Sequence, residues 1–278
     1  AWIPRAWIIP NRRPAEQNKA HEKEEAMKTA IITGASSGLG RELARQIEDV
    51  FPDIACYWLI ARREDRLESL AISLPGRHTT CLAPDLCDPM SFVSLKDRLA
   101  AEKPEVSLLV NCAGCGYLGR VGEMDTASQT RMVDLNVRAL TAVTNLVLPY
   151  MPEGGHILNV SSIASFCPNP RMTVYSSTKA YVSHFTVGLN EELRRRRVSV
   201  TAVCPGPMAT EFLPLAGITG SSSTFEFLPY CDQVRVAGGA LRAAKAGRTI
   251  YTPKLLYKFY RLLAKLTPFQ LLVKFVKT

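Results

Sequence analysis

The chain has 278 residues, 47% of them hydrophobic and 21% charged, with a formal net charge of +9. That apolar content suffices for one buried core, and no uninterrupted apolar run approaches the roughly 18 residues that would mark a membrane-spanning helix. Six bases and no acid lie in 251–278, while residues 1–26 carry five bases against four acids. The basic excess therefore describes a tail rather than a nucleic-acid-binding face, and no aromatic-interleaved basic motif accompanies it.

Residues 1–26 differ in kind from the rest of the chain. Their apolar patch is short and broken by Pro4 and Pro10, unlike a signal h-region, whereas Met27 reads as a natural beginning. They are expected to form an extension outside the fold. Further on, strands are expected at Ala30–Thr33, Ile54–Ala61, Thr80–Ala83, Ser107–Asn111, His156–Val160 and Ser199–Cys204. Helical spacing runs over Gly38–Val50, Glu64–Leu74, Thr126–Met151 and Tyr175–Arg196. Strands alternating with helices of ten or more residues imply βαβ units, and fully apolar strands suit a sheet covered on both faces. The expected fold class is α/β, a Rossmann-type doubly wound parallel sheet, with one domain over 27–250 and a basic helical tail over 251–278. Cys56, Cys81, Cys87, Cys112, Cys115, Cys167, Cys204 and Cys231 are scattered, several in apolar runs, as the buried reduced thiols of a cytoplasmic protein are. Cys112 and Cys115 have CxxC spacing, but no second Cys/His pair has metal-ligand spacing, so no metal is expected.

The first expected strand leads directly into Gly34, Ser36, Ser37, Gly38, Leu39 and Gly40. Glycines there let the backbone turn tightly and approach a pyrophosphate, which the following helix N-terminus attracts. After the second strand, a carboxylate would hold a ribose 2′-hydroxyl and a base would accommodate a 2′-phosphate. Arg62 stands there, a guanidinium able to bind phosphate bidentately, so the expected cofactor is NADP(H). Tyr175 and Lys179, four residues apart, share one helix face. A phenol with a pKa near ~10 is poorly poised for reversible proton transfer at neutral pH, and a neighbouring ammonium would lower it.

The TGxxxGxG spacing and the YxxxK pair resemble the classical short-chain dehydrogenase/reductase family, and the resemblance runs in order from Lys28 to Thr210. Asp85 and Leu86 look like the pair that contacts adenine. Asn111, Ala113 and Gly114 look like the family's NNAG motif, with Cys112 replacing its second Asn. The resemblance implies that Tyr175 is the acid/base, Lys179 its activator and a ribose ligand, and Ser162 (rather than Ser161) the hydroxyl that orients the carbonyl. It gives Asn136 a relay water to hold. Pro205, Gly206 and Thr210 resemble the PGxxxT motif beside the nicotinamide, and Glu211–Tyr230 corresponds to a mobile lid.

The function so implied is NADP(H)-dependent interconversion of a hydrophobic ketone and secondary alcohol, steroid- or lipid-like given the apolar lid, Tyr117 and Phe166. The alternatives are a 3-oxoacyl thioester reductase and a non-catalytic nucleotide-binding or membrane-associated protein. Expected partners are a small hydrophobic substrate and, by family resemblance, further copies in a homodimer or homotetramer; no nucleic acid is expected. In the tail, Lys254, Lys258, Arg261 and Lys265 recur on one helical stripe. It reads either as an interfacial helix on an anionic membrane or, as favoured, as a helix pair packed on the body with its bases solvated.

Overall fold

Consecutive apolar residues in a strand point to opposite faces of a sheet, so the run Ala30-Ile31-Ile32 demands cover on both sides. The computed structural model describes residues 27–217 and 228–276; the expected extension 1–26 and the centre of the expected lid lie outside them. In chain order the elements are β1 (Lys28–Thr33), α1 (Gly38–Val50), β2 (Cys56–Ile60), α2 (Glu64–Ile72), β3 (His78–Leu82), α3 (Met90–Glu102) and β4 (Glu105–Asn111). Then come α4 (Thr126–Val133), α5 (Leu140–Val147), β5 (His156–Val160), α6 (Thr173–Glu192), β6 (Ser199–Val203) and α7 (Phe212–Leu215). The chain continues with α8 (Gln233–Lys245), β7 (Ile250–Tyr251), α9 (Leu255–Leu266) and α10 (Phe269–Leu272).

The strands form one seven-stranded sheet in the order β3-β2-β1-β4-β5-β6-β7, parallel throughout. Ile32 joins Leu43, Ile47, Leu67 and Leu241 in a layer beneath α1, α2 and α8. Ile31 joins Leu95, Leu99, Val143 and Leu189 in the opposite layer, beneath α3, α5 and α6. The fold is thus the doubly wound sheet expected, with helices on both faces.

Three helices and one strand go beyond the sequence reading, among them the single-turn α7 inside the expected lid. In α3 only Leu95 and Leu99 are buried apolar residues, a stripe too thin to register. The buried face of α8 is built largely of Ala237, Gly238, Ala240, Ala243 and Ala244, whose small side chains give little hydrophobic periodicity. Close packing explains that choice: a Cβ on Gly239 would lie 2.0 Å from the Tyr251 hydroxyl, and one on Gly238 would lie 2.6 Å from Gln46 Oε1. The strand β7 crosses the expected 250/251 boundary and pairs with β6. The stretch expected as one helix over Thr126–Met151 is interrupted by a π-helical turn at Asp134–Ala139 and ends in a 3₁₀ turn at Leu148–Tyr150.

The tail packs on the body, with Tyr257 and Ala264 of α9 buried and Tyr257 incorporated in the layer beneath α1 and α8. Among the described residues no helix is long and apolar enough to cross a membrane.

Candidate active site

Strands β1 and β4 are neighbours, but the chain leaves them toward opposite ends of the sheet, which opens a crevice beyond their carboxyl ends. A cavity of about 670 Å³ occupies it. Of the expected site residues, all but Asn111 and Asn136 line this cavity.

The first wall is the turn from β1 into α1. Gly34 has φ 71° and Gly38 φ 51°, values that L side chains rarely adopt. A Cβ on Gly34 would lie 2.8 Å from the Ala113 nitrogen, and one on Gly40 would lie 2.2 Å from the Gly34 oxygen. The turn therefore lies flush against both the β4 loop and its own helix. Thr33 Oγ1 ties these parts together by accepting from the Cys112 and Ala113 amides, each at 3.1 Å. A glycine cradle followed by the unpaired amides of a helix start suits a pyrophosphate, so a dinucleotide fits the residues present.

At the end of β2, Arg62 is exposed and lines the cavity. Sequence reading missed its neighbour. Arg63 is the N-cap of α2 with extended backbone, which turns its side chain back over the glycine loop. There Nη2 donates to Ser37 Oγ at 2.8 Å and to Ser36 Oγ at 3.1 Å, and Nη1 pairs with Glu211 at 2.9 Å. Arg66 joins the same carboxylate at 2.6 Å. The Arg62-Arg63 dipeptide carried this signal, since either guanidinium could have been the one aimed at the loop. On the adjoining wall, Asp85 binds Arg131 Nη2 at 3.1 Å and accepts from the Cys87 amide at 2.9 Å. Partial burial raises its pKa, but the Cys87 amide and Arg131 outweigh that and hold the carboxyl below its usual range.

Asn111 corrects an expectation. Its side chain points into the core, 3% exposed, where Nδ2 donates to Thr144 Oγ1 and Asn159 Oδ1, both at 2.9 Å. It clamps β4 to β5 and α5 and does not reach the cofactor crevice. Asn136 sits on the π-helical turn, and Oδ1 accepts from the Cys115 amide at 2.9 Å. Its Nδ2 donates to the Cys115 carbonyl at 2.8 Å and to Thr178 Oγ1 at 3.0 Å. It thus fastens the loop after β4 to α6; a π turn supplies the offset that aims one side chain at backbone in this way.

The cavity floor carries Tyr175, Lys179 and Ser162. Tyr175 and Lys179 stand one turn apart near the start of α6, and both are buried. The Ser162 side chain hydrogen-bonds the Tyr175 phenol. Ser161 is otherwise engaged, donating to the Lys179 carbonyl at 2.9 Å and meeting Ser183 at 2.8 Å. Lys179 Nζ donates to the Val160 carbonyl at 2.9 Å and lies 5.8 Å from the centre of the Tyr175 ring. Burial pushes the Tyr175 phenol up to about 12, with the Ser162 hydrogen bond opposing it. Burial likewise pushes the Lys179 ammonium down. The phenol and the ammonium are thus both desolvated, and the Ser162 hydrogen bond is the contact that favours the phenolate.

The remaining wall is apolar. The Tyr175 ring meets Phe212 at 5.7 Å between centroids, and a Cβ on Gly116 would lie 2.6 Å from Phe212 and 2.8 Å from Tyr175. Met172, Leu213 and Leu228 extend this surface, and Leu256, Tyr257, Tyr260, Phe275 and Val276 bring the tail into it. Tyr117 lines the cavity, whereas Phe166 stands behind Tyr260 at 5.9 Å. The contribution of the tail was not legible in the motifs, all of which end at Thr210. Cys112 and Cys115 are free thiols, pushed by burial up to about 12 and about 11. Among the described residues no cluster of His, Cys, Asp and Glu could hold a metal ion.

A family model for the short chain dehydrogenases matches residues 28–216. Sulfoacetaldehyde reductase 2 of Chromohalobacter salexigens is 38% identical over 189 residues, covering 66% of this chain and 73% of that one. A short-chain dehydrogenase from Sphingobium yanoikuyae, solved in complex with NADPH, superposes with a TM-score of 0.74 at 28% identity, covering 86% of this chain and 93% of that one. A bulky-bulky ketone specific alcohol dehydrogenase from Comamonas testosteroni superposes with a TM-score of 0.70 at 26% identity, over 87% and 92% of the two chains.

Proposed function

The chain belongs to the short-chain dehydrogenase/reductase family, and from that premise we propose that it uses NADP(H) to interconvert a bulky hydrophobic ketone and its secondary alcohol. One observation carries the proposal: the Tyr175 phenol, hydrogen-bonded to Ser162, stands in a single cavity with a glycine cradle on one side and an apolar wall on the other. Arg62 and Arg63, with no carboxylate at the end of β2, support a 2′-phosphate. The Sphingobium yanoikuyae relative, solved with NADPH, supports the same choice. The apolar wall, and the bulky-ketone specificity named for the Comamonas testosteroni enzyme, support a large substrate.

Gly34, Gly38 and Gly40 would hold the pyrophosphate, Arg62 and Arg63 the 2′-phosphate, and Lys179 the ribose nearest the reaction. When bound, the nicotinamide supplies a hydride to the carbonyl carbon. Ser162 donates a hydrogen bond to the carbonyl oxygen and fixes its distance from Tyr175. The Tyr175 hydroxyl gives its proton to that oxygen, so ketone, hydride and proton together become the alcohol. Lys179 opposes the charge left on the phenolate. Asn136, by holding the Cys115 backbone and Thr178 together, keeps open the route along which a relay water returns a proton to Tyr175.

Oxidation of NADPH and of NADH against bulky ketones, steroids, small aldehydes and 3-oxoacyl thioesters tests the proposal. The greatest kcat/KM is expected for a bulky ketone with NADPH. A preference for NADH, or for a small hydrophilic aldehyde, defeats it.

A further inference from the structure

The tail does more than complete the cavity. Among the described residues, nine large exposed apolar side chains fall between Leu255 and Phe275, a density that a solvent-facing surface does not ordinarily carry. Leu255 is 81% exposed, Leu266 76% and Phe275 85%.

The rotation of α9 about its axis is the informative feature. At about 100° per residue, its side chains divide into three faces. Tyr257, Tyr260 and Ala264 form the face turned to the body, and Tyr257 and Ala264 are buried there. Lys258, Arg261 and Lys265 form a second. The exposed leucines and Phe259 form a third, an arc of about 120°. A helix that served only to cover the core would turn this leucine arc inward. Here two tyrosines and an alanine take the inward positions, and the leucine arc is left facing out.

The charges identify what covers that arc. From Tyr251 onward the chain has no acid. Among the described residues, Lys254, Lys258, Arg261, Lys265 and Lys274 have no acidic ion-pair partner. A second copy of the same face would bring like charges together with nothing to neutralise them. An anionic lipid surface offers both complements: headgroup charge for the bases and an acyl boundary for the leucines. Leu256 of this arc and the exposed Phe275 beyond α10 also line the cavity, so the mouth of the cavity borders the exposed apolar surface of the tail.

We infer that α9 and α10 seat this enzyme on an anionic bilayer, leucine arc down, with the cavity mouth beside the lipid. This inference rests on the surface alone and does not depend on the reaction proposed above. The full chain is sedimented with phosphatidylcholine vesicles, with and without added phosphatidylserine, at low and high salt. Binding is expected only to the phosphatidylserine vesicles, and high salt is expected to weaken it. Each base near such a surface is worth about fivefold in partitioning, so Lys258→Gln with Lys265→Gln is expected to weaken it about 25-fold. Phe259→Ser with Leu266→Ser is expected to weaken it as well. Both pairs are exposed, and an unchanged melting temperature and NADPH affinity show that each variant is folded. Failure to bind vesicles, or equal binding to neutral and anionic ones, overturns the inference. So does a dimer of the unaltered chain that the Phe259/Leu266 variant dissociates.

Discussion

Gly206→Ala is the sharpest probe of the union between tail and catalytic loop. A Cβ there would lie 2.3 Å from Tyr257 Cε2, 2.5 Å from Cζ and 2.6 Å from the hydroxyl oxygen. Tyr257 cannot easily retreat, because it is 1% exposed and its hydroxyl donates to the Pro229 carbonyl at 2.7 Å. Overpacking of this kind costs about 1–3 kcal/mol, and losing the buried hydrogen bond adds about 1 kcal/mol. Alanine recovers about 0.4–1 kcal/mol by restricting the unfolded chain. The net loss is about 2 kcal/mol, a fall in Tm of about 4–8 °C for a domain of this size. Thermal unfolding of Gly206→Ala, Tyr257→Leu and the double variant measures it. The double variant is expected to be more stable than the sum of the single losses, since removing the ring relieves the clash. Because Gly206 also lines the cavity, the KM for NADPH is expected to rise in the single variant. An unchanged Tm and KM for Gly206→Ala would refute the docking of α9 against this loop.

Three further predictions concern the chemistry and the fold. Tyr175→Phe is expected to lower kcat about 10²- to 10⁴-fold while NADPH affinity, read by fluorescence titration, stays near that of the unaltered chain; retained turnover would remove Tyr175 from the mechanism. Arg62→Ala with Arg63→Ala deletes charge-assisted contacts worth about 1.5–3 kcal/mol, so kcat/KM with NADPH is expected to fall about 10- to 100-fold while the NADH value changes little. His156 gives a pH signature. Burial, opposed by a hydrogen bond to Ala244, holds its imidazole below the ordinary 6.5, so the unfolded chain takes up this proton first as pH falls. Its stabilising contribution is complete above about pH 6.5 and is lost as pH falls below it, so Tm is expected to fall as the pH drops below about 6.5, and less in His156→Gln. Asp53 and Asp85, with carboxyls held below 3.8, lose their contributions only at more acid pH and do not confuse that window.

Much of the site was legible because its chemistry is local. The glycine turn must follow a strand and open a helix; Tyr175 and Lys179 must share a helix face; and a strand-end hydroxyl must meet them from β5. Each requirement fixes residue types at short spacing, so the motifs carry it. Asn111 was misread for the complementary reason. Its motif marked the right loop, but whether a strand-end side chain turns into the core or the crevice is set by Thr144 and Asn159, which lie far along the chain.

The sequence by itself determined six of the seven strands, the glycine cradle and the Ser162, Tyr175, Lys179 trio, because hydrophobic period and motif spacing act over a few residues. Only the tertiary structure decided that Arg63 folds back over the loop, that small residues press α8 against α1, and that α9 turns its tyrosines inward and its leucines out. Those outcomes depend on shapes meeting across the fold. A linear pattern gives the side chains of a helix but does not say which neighbour each face will find.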